Sequence, residues 1–452
     1  MASGAVVKTA TIDARDLFAS GRIDARYAVD GIAVLREKLS VMDCDRTISG
    51  MGDVTMPTRI KKVAATPKER SVPYLRPYDV FEYLPPESDT ISWNRTPGID
   101  AYAIRAGDIL QTRSGRNLGP VTLADEYLSR FAVSDDMVRI RIDNEVERLY
   151  TFAFLRSAIG QKVLRGDRGG SVISHISPQQ VGAIRVPFLA DIVADVADKA
   201  RSAVASRHAA RMTLHDAVQT INAAYPTSRL PTSSGWSTSA AQLRERFDSA
   251  FHAQSVSDDR DVLMHAGGVR LGDVADVVKP GGRHKMAYVD ASHGKPFLSG
   301  RQVLQCDVVA PKYLSSDSAP SMGGFALRQN SVVFQSDGRA EEGLGYPALI
   351  TAERDGWLAS GHVGRAVPHD ADDAGWIWAS IASDIVHRQV VALSCGSVVD
   401  ALYPDDVAHV LLPPRDAVDS RAVRAAWNQM DAGSRLLAEA STMIDDALAT
   451  VD

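Results

Sequence analysis

Residues 106–119 read AGDILQTRSGRNLG, and residues 330–345 read NSVVFQSDGRAEEGLG. In both, a short apolar run stands directly before a polar, glycine-bearing loop. The runs are Ile109-Leu110-Gln111-Thr112 and Val333-Phe334-Gln335-Ser336, and Gly115-Arg116 and Gly338-Arg339 soon follow them. That pattern predicts a strand running into a loop. Its recurrence at a separation of 224 residues raises internal duplication before any motif search.

Other anchors repeat in the same order. Arg22-Ile23-Asp24-Ala25-Arg26-Tyr27 matches Arg246-Phe247-Asp248-Ser249-Ala250-Phe251. Pro73-Tyr74-Leu75 and Val80 match Pro296-Phe297-Leu298 and Val303. Gly170-Ser171-Val172 matches Gly396-Ser397-Val398, and Ile184-Arg185-Val186-Pro187 matches Val410-Leu411-Leu412-Pro413. The offsets drift only between 223 and 226. One such match is common by chance, but an ordered set is not. The 452 residues therefore divide into two diverged copies of one unit.

Each copy opens with a short helical segment (11–40 and 237–255). Short apolar runs broken by Gly, Pro, Asp and Ser come next, which predicts mainly β structure with a few helices. The helices predicted inside the copies are 149–163 and 376–391. Each copy closes with a proline and one long helix, at 190–223 and roughly 417–450. Ile192, Val196, Ala200, Ala203, Leu214, Val218 and Ile221 recur at three- and four-residue steps, as do Val423, Trp427, Met430, Leu437, Ala440, Met443 and Leu448. Helices of that length span about 50 Å, more than one small globule covers. Each is expected to pair with the other as an Ala-rich coiled coil. The alternative is that each packs back on its own globule. The expected fold class is α+β: mixed-β domains with short helices at 1–189 and 240–415, long helices at 190–223 and 416–452, and a linker at 224–239.

Composition narrows the function. Apolar residues make up 45% and charged residues 23%, an ordinary globular balance. No apolar run reaches the roughly 18 residues of a membrane span. The first residues, MASGAVVKTATIDARD, lack the basic and apolar regions of a secretory signal. Cys44, Cys306 and Cys395 stand far apart in no C-x-x-C pair, which fits a reducing cytoplasm rather than a disulfide or zinc framework. A net charge of −6 argues against coating nucleic acid through bulk charge. The halves differ, however. Residues 1–224 carry +3 and the remainder −9, so a local basic face is open to the first copy.

Catalytic patterns are missing. No phosphate loop is present, and Gly343-Leu344-Gly345-Tyr346-Pro347 puts proline where a dinucleotide fingerprint opens its helix. Leu84-Pro85-Pro86-Glu87 lacks the flanks of an amino-methyltransferase loop and reads as a turn. Asp405, Asp406 and His409 suggest a metal nuclease, but the copy holds Gln179 and Gln180 in place of the acids. Pro404-Asp405-Asp406 reads instead as a helix start. The histidines show no metal-ligand spacing. Gly170-Ser171-Val172 is no nucleophile elbow, although His175 lies near it.

The repeated order resembles the specificity (S) subunit family of Type I restriction–modification systems. It comprises the R-(I/F)-D-(A/S) segment, P-(Y/F)-L, the strand with its Gly loop, an aromatic-rich helix, G-S-V, I-x-V-P and a long helix. The first copy matches best. The second replaces Gly107-Asp108 with Asn330-Ser331, and its loop after Gln335 reads as one residue shorter. The resemblance implies a non-catalytic subunit with two target-recognition domains, each reading half of a split duplex DNA site. It implies that the long helices set the separation and dock adenine methyltransferase subunits, which a restriction subunit can join. No cofactor is then expected on this chain, S-adenosylmethionine belonging to the methyltransferase.

The residues themselves offer candidate DNA contacts. Arg59, Lys61, Lys62, Lys68, Arg70 and Arg76 crowd into 59–76 against one acid, Glu69, and suit phosphate. Thr112, Arg113, Ser114, Arg116 and Asn117 lie on the strand-end loop, where Arg and Asn are shaped for guanine and adenine edges. Arg165, Arg168 and Ser171 mark a second polar loop. In the second copy the candidates are Arg283, His284, Lys285, Arg301, Lys312, Ser336 and Arg339. Two other readings stay open: a duplicated enzyme with an unrecognised active site, and a protein-binding scaffold.

Overall fold

The computed structural model describes residues 31–40, 45–115, 117–166, 174–228, 246–281, 286–315, 320–340, 343–396 and 399–450, with 9, 11, 42, 235–240 and 243 besides. The chain separates into two units. Unit 1 holds 1–80, 85–208 and 432–452, and unit 2 holds 81–84 and 209–431. Both are mixed α and β, and the same plan recurs in each.

In unit 1 the central sheet contains β1 (Gly52–Thr55), β2 (Ile109–Thr112), β3 (Val121–Leu123) and β4 (Met137–Ile142), in the order β1-β4-β2-β3 and antiparallel throughout. α1 (Glu145–Arg156) and α2 (Ala158–Gly166) follow, and then the long α3 (Val193–Ala224). Unit 2 repeats the sheet with β5 (Ala275–Val278), β6 (Val332–Gln335), β7 (Pro347–Leu349) and β8 (Val363–Pro368), in the corresponding order β5-β8-β6-β7. α4 (Ala374–Ala382), α5 (Asp384–Ala392) and the long α6 (Ser420–Ala449) follow. A parallel pairing also recurs, Tyr74 with Ala132 in unit 1 and Phe297 with Leu358 in unit 2.

The sheets correct the sequence alignment by one residue. Leu110 faces Arg139 in unit 1, and Val333 faces Arg365 in unit 2. Ile109 therefore corresponds to Val332, and Thr112 to Gln335, at an offset of 223. The glutamines invited a match that hydrogen-bond register does not follow. The loop comparison changes too. Gly119 N returns to Thr112 O, whereas Gly345 N returns to Gln335 O, so the second loop is three residues longer rather than one shorter.

The departure at Gly107-Asp108 has a physical account. Gly107 sits at φ 89° and Asn330 at φ 65°, a left-handed turn that asparagine tolerates better than most residues. Buried Asp108 receives both arms of Arg141, at 2.7 and 3.1 Å. Its counterpart is Ser331, and the strand position of Arg141 becomes Val367. Acid and cation are lost together, so neither is stranded.

The helices predicted at 149–163 and 376–391 are each broken in two. Ser157 and Ser383 take extended backbone, at ψ 160° and 149°. The Ser157 hydroxyl then accepts from Gly160 N at 3.0 Å and caps α2. Pro404–Val407 is a short helix with proline in its first turn, as its sequence suggests. The repeated Arg-x-Asp segment is an internal clamp in unit 2. Arg246 binds Asp248 (2.7 Å), Leu393 O (2.9 Å) and Asp406 (3.2 Å). Arg22 and Asp24 lie outside the described residues, as do most of 11–30 and most of both G-S-V turns.

Both long helices contribute to both cores. In unit 1, Val196, Ala197, Ala200 and Ala203 of α3 share a buried cluster with Leu437, Ala440, Ile444 and Leu448 of α6 and with the sheet residues Ile109 and Val138. Direct contacts run antiparallel there: Lys199 to Glu439 at 2.7 Å, and Arg207 to Ser434 at 2.6 Å. In unit 2, Ala210, Leu214, Ala217 and Ile221 share a cluster with Val423, Trp427 and Met430. Each helix thus packs on globule residues as well as on its fellow.

Unit 2 also takes in Phe81–Leu84. Tyr83 N donates to Leu304 O (2.9 Å) and Cys306 N to Phe81 O (2.8 Å), about the facing residues Glu82 and Gln305. These are the same segment of the two copies, paired antiparallel. Among the described residues no helix is long and apolar enough to cross a membrane.

Candidate nucleic-acid interface

In unit 1 a turn at Asp135-Asp136 gathers the predicted residues. Lys62 lies 3.8 Å from Asp135, donates to the Tyr74 hydroxyl at 2.6 Å and sits 4.3 Å from that ring's centre. Ser114 donates to Asp136 at 2.5 Å. The basic segment and the strand-end loop therefore meet at adjacent residues. Arg165 reaches the same loop, because a Cβ built on Gly119 would stand 2.9 Å from its Nε. Gln161 holds that glycine's carbonyl at 2.9 Å.

The cations divide into two sets. Arg59, Lys61 and Lys68 are exposed, and among the described residues none has an acid within ion-pair distance. Arg70 lies over the Trp93 ring at 4.5 Å, and Arg76 pairs with Asp89 at 3.3 Å. Glu69, the one acid of the segment, is occupied by Arg95, whose guanidinium holds its carboxyl well below the usual range. The free set suits phosphate, whereas Lys62 and Arg70 are held against Tyr74 and Trp93, rings of one core cluster.

The loop itself is strapped to residues 174–176. Gly115 N donates to Ser174 O (3.0 Å), and Ile176 N to Arg113 O (3.0 Å). Gly115 needs its left-handed φ of 87° to make this turn. Asn117 is exposed at the tip. Arg113 is half-buried and directs a guanidinium nitrogen at Met56 Sδ, 3.0 Å away. Thr112 is 1% exposed and donates to Asn117 O, so its hydroxyl braces the loop from within. Arg116, Arg168 and Ser171 lie outside the described residues.

Unit 2 builds the same loop with other side chains. Leu402 N donates to Ser336 O (2.8 Å), the counterpart of Ile176 to Arg113. Ser336 is fully buried and donates to Asp337 at 2.8 Å, so it too braces the loop instead of contacting DNA. Asp337, the counterpart of Ser114, meets Lys279 at 2.7 Å and His362 at 3.3 Å. Burial raises its pKa, but Lys279, Ser336 and His362 together hold it below the ordinary carboxylate value. Arg339 is exposed beyond it. Lys312 lies 5.1 Å from the centre of the exposed Tyr288 ring. Arg301 is committed to buried Glu82 at 3.4 Å, which places it in the packing of unit 2. Arg283, His284 and Lys285 lie outside the described residues.

Sequence reasoning missed the buried arginines of the two central sheets. Arg139 and Arg365, 2% and 3% exposed, occupy equivalent strand positions. Arg139 donates to the carbonyls of Ala101 and Ala103, and Arg365 to that of Phe325 at 2.7 Å. Burial pushes both pKa values down to about 10. Their charge braces a turn against the sheet in each unit. Only their shared place in the duplicated strands marks them in sequence. Trp93 was also missed, and His175 was weighed only beside Ser171, for each lies far along the chain from the residue it joins. Among the described residues no group of three His, Cys, Asp or Glu stands placed to hold a metal.

No family model and no curated protein matches the chain. Solved structures do. The Type-I restriction-modification system S subunit from M. genitalium is 14% identical, with 89% of this chain and 94% of that one covered and a TM-score of 0.27. The HsdS subunit from Thermoanaerobacter tengcongensis is 16% identical, with 90% and 97% covered and a TM-score of 0.28. A structure described by the complex assembly and conformational transition of the type I R-M system is 17% identical, with 89% and 97% covered and a TM-score of 0.29. Similarities of this size carry no weight for function, which rests instead on the duplication and on the two loops.

Proposed function

We propose that the chain is a non-catalytic DNA sequence-recognition subunit of a Type I restriction–modification or related phage-defence complex. Each unit reads one half of a split duplex site with its strand-end loop. The long helices set the spacing of the halves and dock adenine methyltransferase subunits, which bring S-adenosylmethionine, and a restriction subunit is a further partner. One observation carries the reading. The same loop is built twice by equivalent backbone bonds, Ile176 to Arg113 and Leu402 to Ser336, and displays different side chains each time. A split-site reader needs that: one scaffold, two surfaces. The free cations Arg59, Lys61 and Lys68 supply phosphate attraction beside the first loop.

The test is a methylome with and without the gene. A two-part adenine-methylated motif is expected to vanish on deletion, and an unchanged methylome refutes the reading. Turnover of a small substrate by the isolated chain supports the enzyme alternative instead.

A further inference from the structure

The loops share one more device. In unit 1 the Ser114 hydroxyl lies 2.5 Å from Asp136 Oδ1 and 2.7 Å from His175 Nδ1. A hydroxyl has one proton. The carboxylate accepts only, so that proton goes to Asp136 and the imidazole must donate to Ser114 from Nδ1. This is not a nucleophile's triad, in which the imidazole stands between serine and acid. Here serine stands in the middle, its proton committed to the acid, and the chain of bonds fixes a ring. With Nδ1 the donor, neutral His175 presents Nε2 as an acceptor. The side chain is exposed beside the loop tip.

In unit 2 the position of His175 is Ala401, paired with Asp337 in place of Ser114. A histidine returns from the other side. His362 occupies the position of Asp136: its carbonyl accepts from Ser336 N at 3.0 Å, as that of Asp136 accepts from Arg113 N at 3.4 Å. Its Nδ1 faces the Asp337 carboxylate at 3.3 Å, and its ring is 71% exposed. The two units thus reach one arrangement from different residues: Nδ1 tied to an acid, directly or through serine, on an exposed histidine at the loop.

We infer that His175 and His362 are specificity-determining residues whose Nε2 atoms accept a hydrogen bond from an exocyclic amino group of a base, adenine N6 or cytosine N4. Ser114, Asp136 and Asp337 are positioning residues for them. The major groove displays those amino groups as donors, where guanine and thymine display acceptors. The inference rests on the DNA-reading function proposed above.

The experiment is methylome sequencing of cells carrying the full-length gene at its own locus, as wild type, deletion, His175→Leu, His175→Gln and His362→Leu. Leucine keeps volume and removes the acceptor, whereas glutamine keeps an acceptor near Nε2. His175→Leu is expected to lower the preference at one base of one half-site about tenfold, leaving the other half-site intact. His362→Leu is expected to relax the other half-site. His175→Gln is expected to keep the wild-type motif, a rescue that a merely structural histidine does not predict. Ser114→Ala is expected to relax the same base as His175→Leu. If deletion erases the motif while both leucine variants keep it, the inference fails and the DNA-reading function stands. It also fails if His175→Leu and His175→Gln both lose the motif altogether. An unchanged methylome on deletion refutes both.

Discussion

Unit 1 and unit 2 carry one backbone plan and two sets of chemistry. Around the first loop the central group is a neutral hydroxyl, Ser114, between Asp136 and His175. Around the second it is a carboxylate, Asp337, between Lys279 and His362. Beneath the first sheet Asp108 and Arg141 form a two-armed ion pair, and beneath the second a serine and a valine take their places. What persists is backbone register and the buried Arg139 and Arg365. What varies is charge. Duplication preserved the frame and freed the rim, as the proposed reading of two different DNA halves requires.

The comparison can be broken by substitution. The largest effect is expected from Trp427→Ala. This ring is 1% exposed in unit 2, 4.2 Å from that of Tyr83 and 5.4 Å from that of Trp378. Its loss is expected to cost about 3–5 kcal/mol in urea unfolding, with amide exchange rising first in unit 2. An equal rise in both units contradicts the partition. Asp108→Ala leaves Arg141 facing an apolar side chain and is expected to cost about 3 kcal/mol. Ser331→Ala, its counterpart, is expected to cost about 1 kcal/mol or less. Equal costs show that the ion pair carries nothing.

Smaller effects sharpen the loops. Asp337→Asn weakens the Lys279 contact and is expected to cost about 1 kcal/mol, with exchange rising locally at 336–340. The sign with pH follows from its lowered pKa. Asp337 stabilises the folded loop above the ordinary carboxylate value and loses that contribution as pH falls through its own lower value. Loop protection measured against pH checks this. The smallest effect is from Lys61→Ala or Lys68→Ala. Each is expected to leave stability unchanged and the methylated motif intact while weakening duplex binding at every sequence alike.

Much of this was legible in sequence. The repeat, the two long helices and the strand-end loops follow from ordered anchors and apolar spacing. Besides the buried arginines and Trp93, three features were not. The one-residue slip between Gln111 and Gln335 is decided by strand register, which matching letters do not carry. The breaks at Ser157 and Ser383 interrupt runs of good helical pattern, and a serine turning extended there leaves little trace. The histidines are the instructive miss. His175 lies sixty-one residues from Ser114, and His362 matches an aspartate in its copy. Residues meeting across a sheet edge with exchanged roles show no shared motif. Thr112 and Ser336 erred the other way. Their polarity suggested contact with DNA, but each spends its hydroxyl inside the loop.

The central claim is that the chain itself binds duplex DNA through local cations despite its net charge of −6. The most direct measurement is the affinity of the full chain for random-sequence duplex across a range of salt. The account predicts that log affinity falls linearly with log salt, with a slope of about −3 or steeper, and that Lys61→Ala and Lys68→Ala each make it shallower by about one. Binding with no salt dependence, or no binding at low salt, contradicts it.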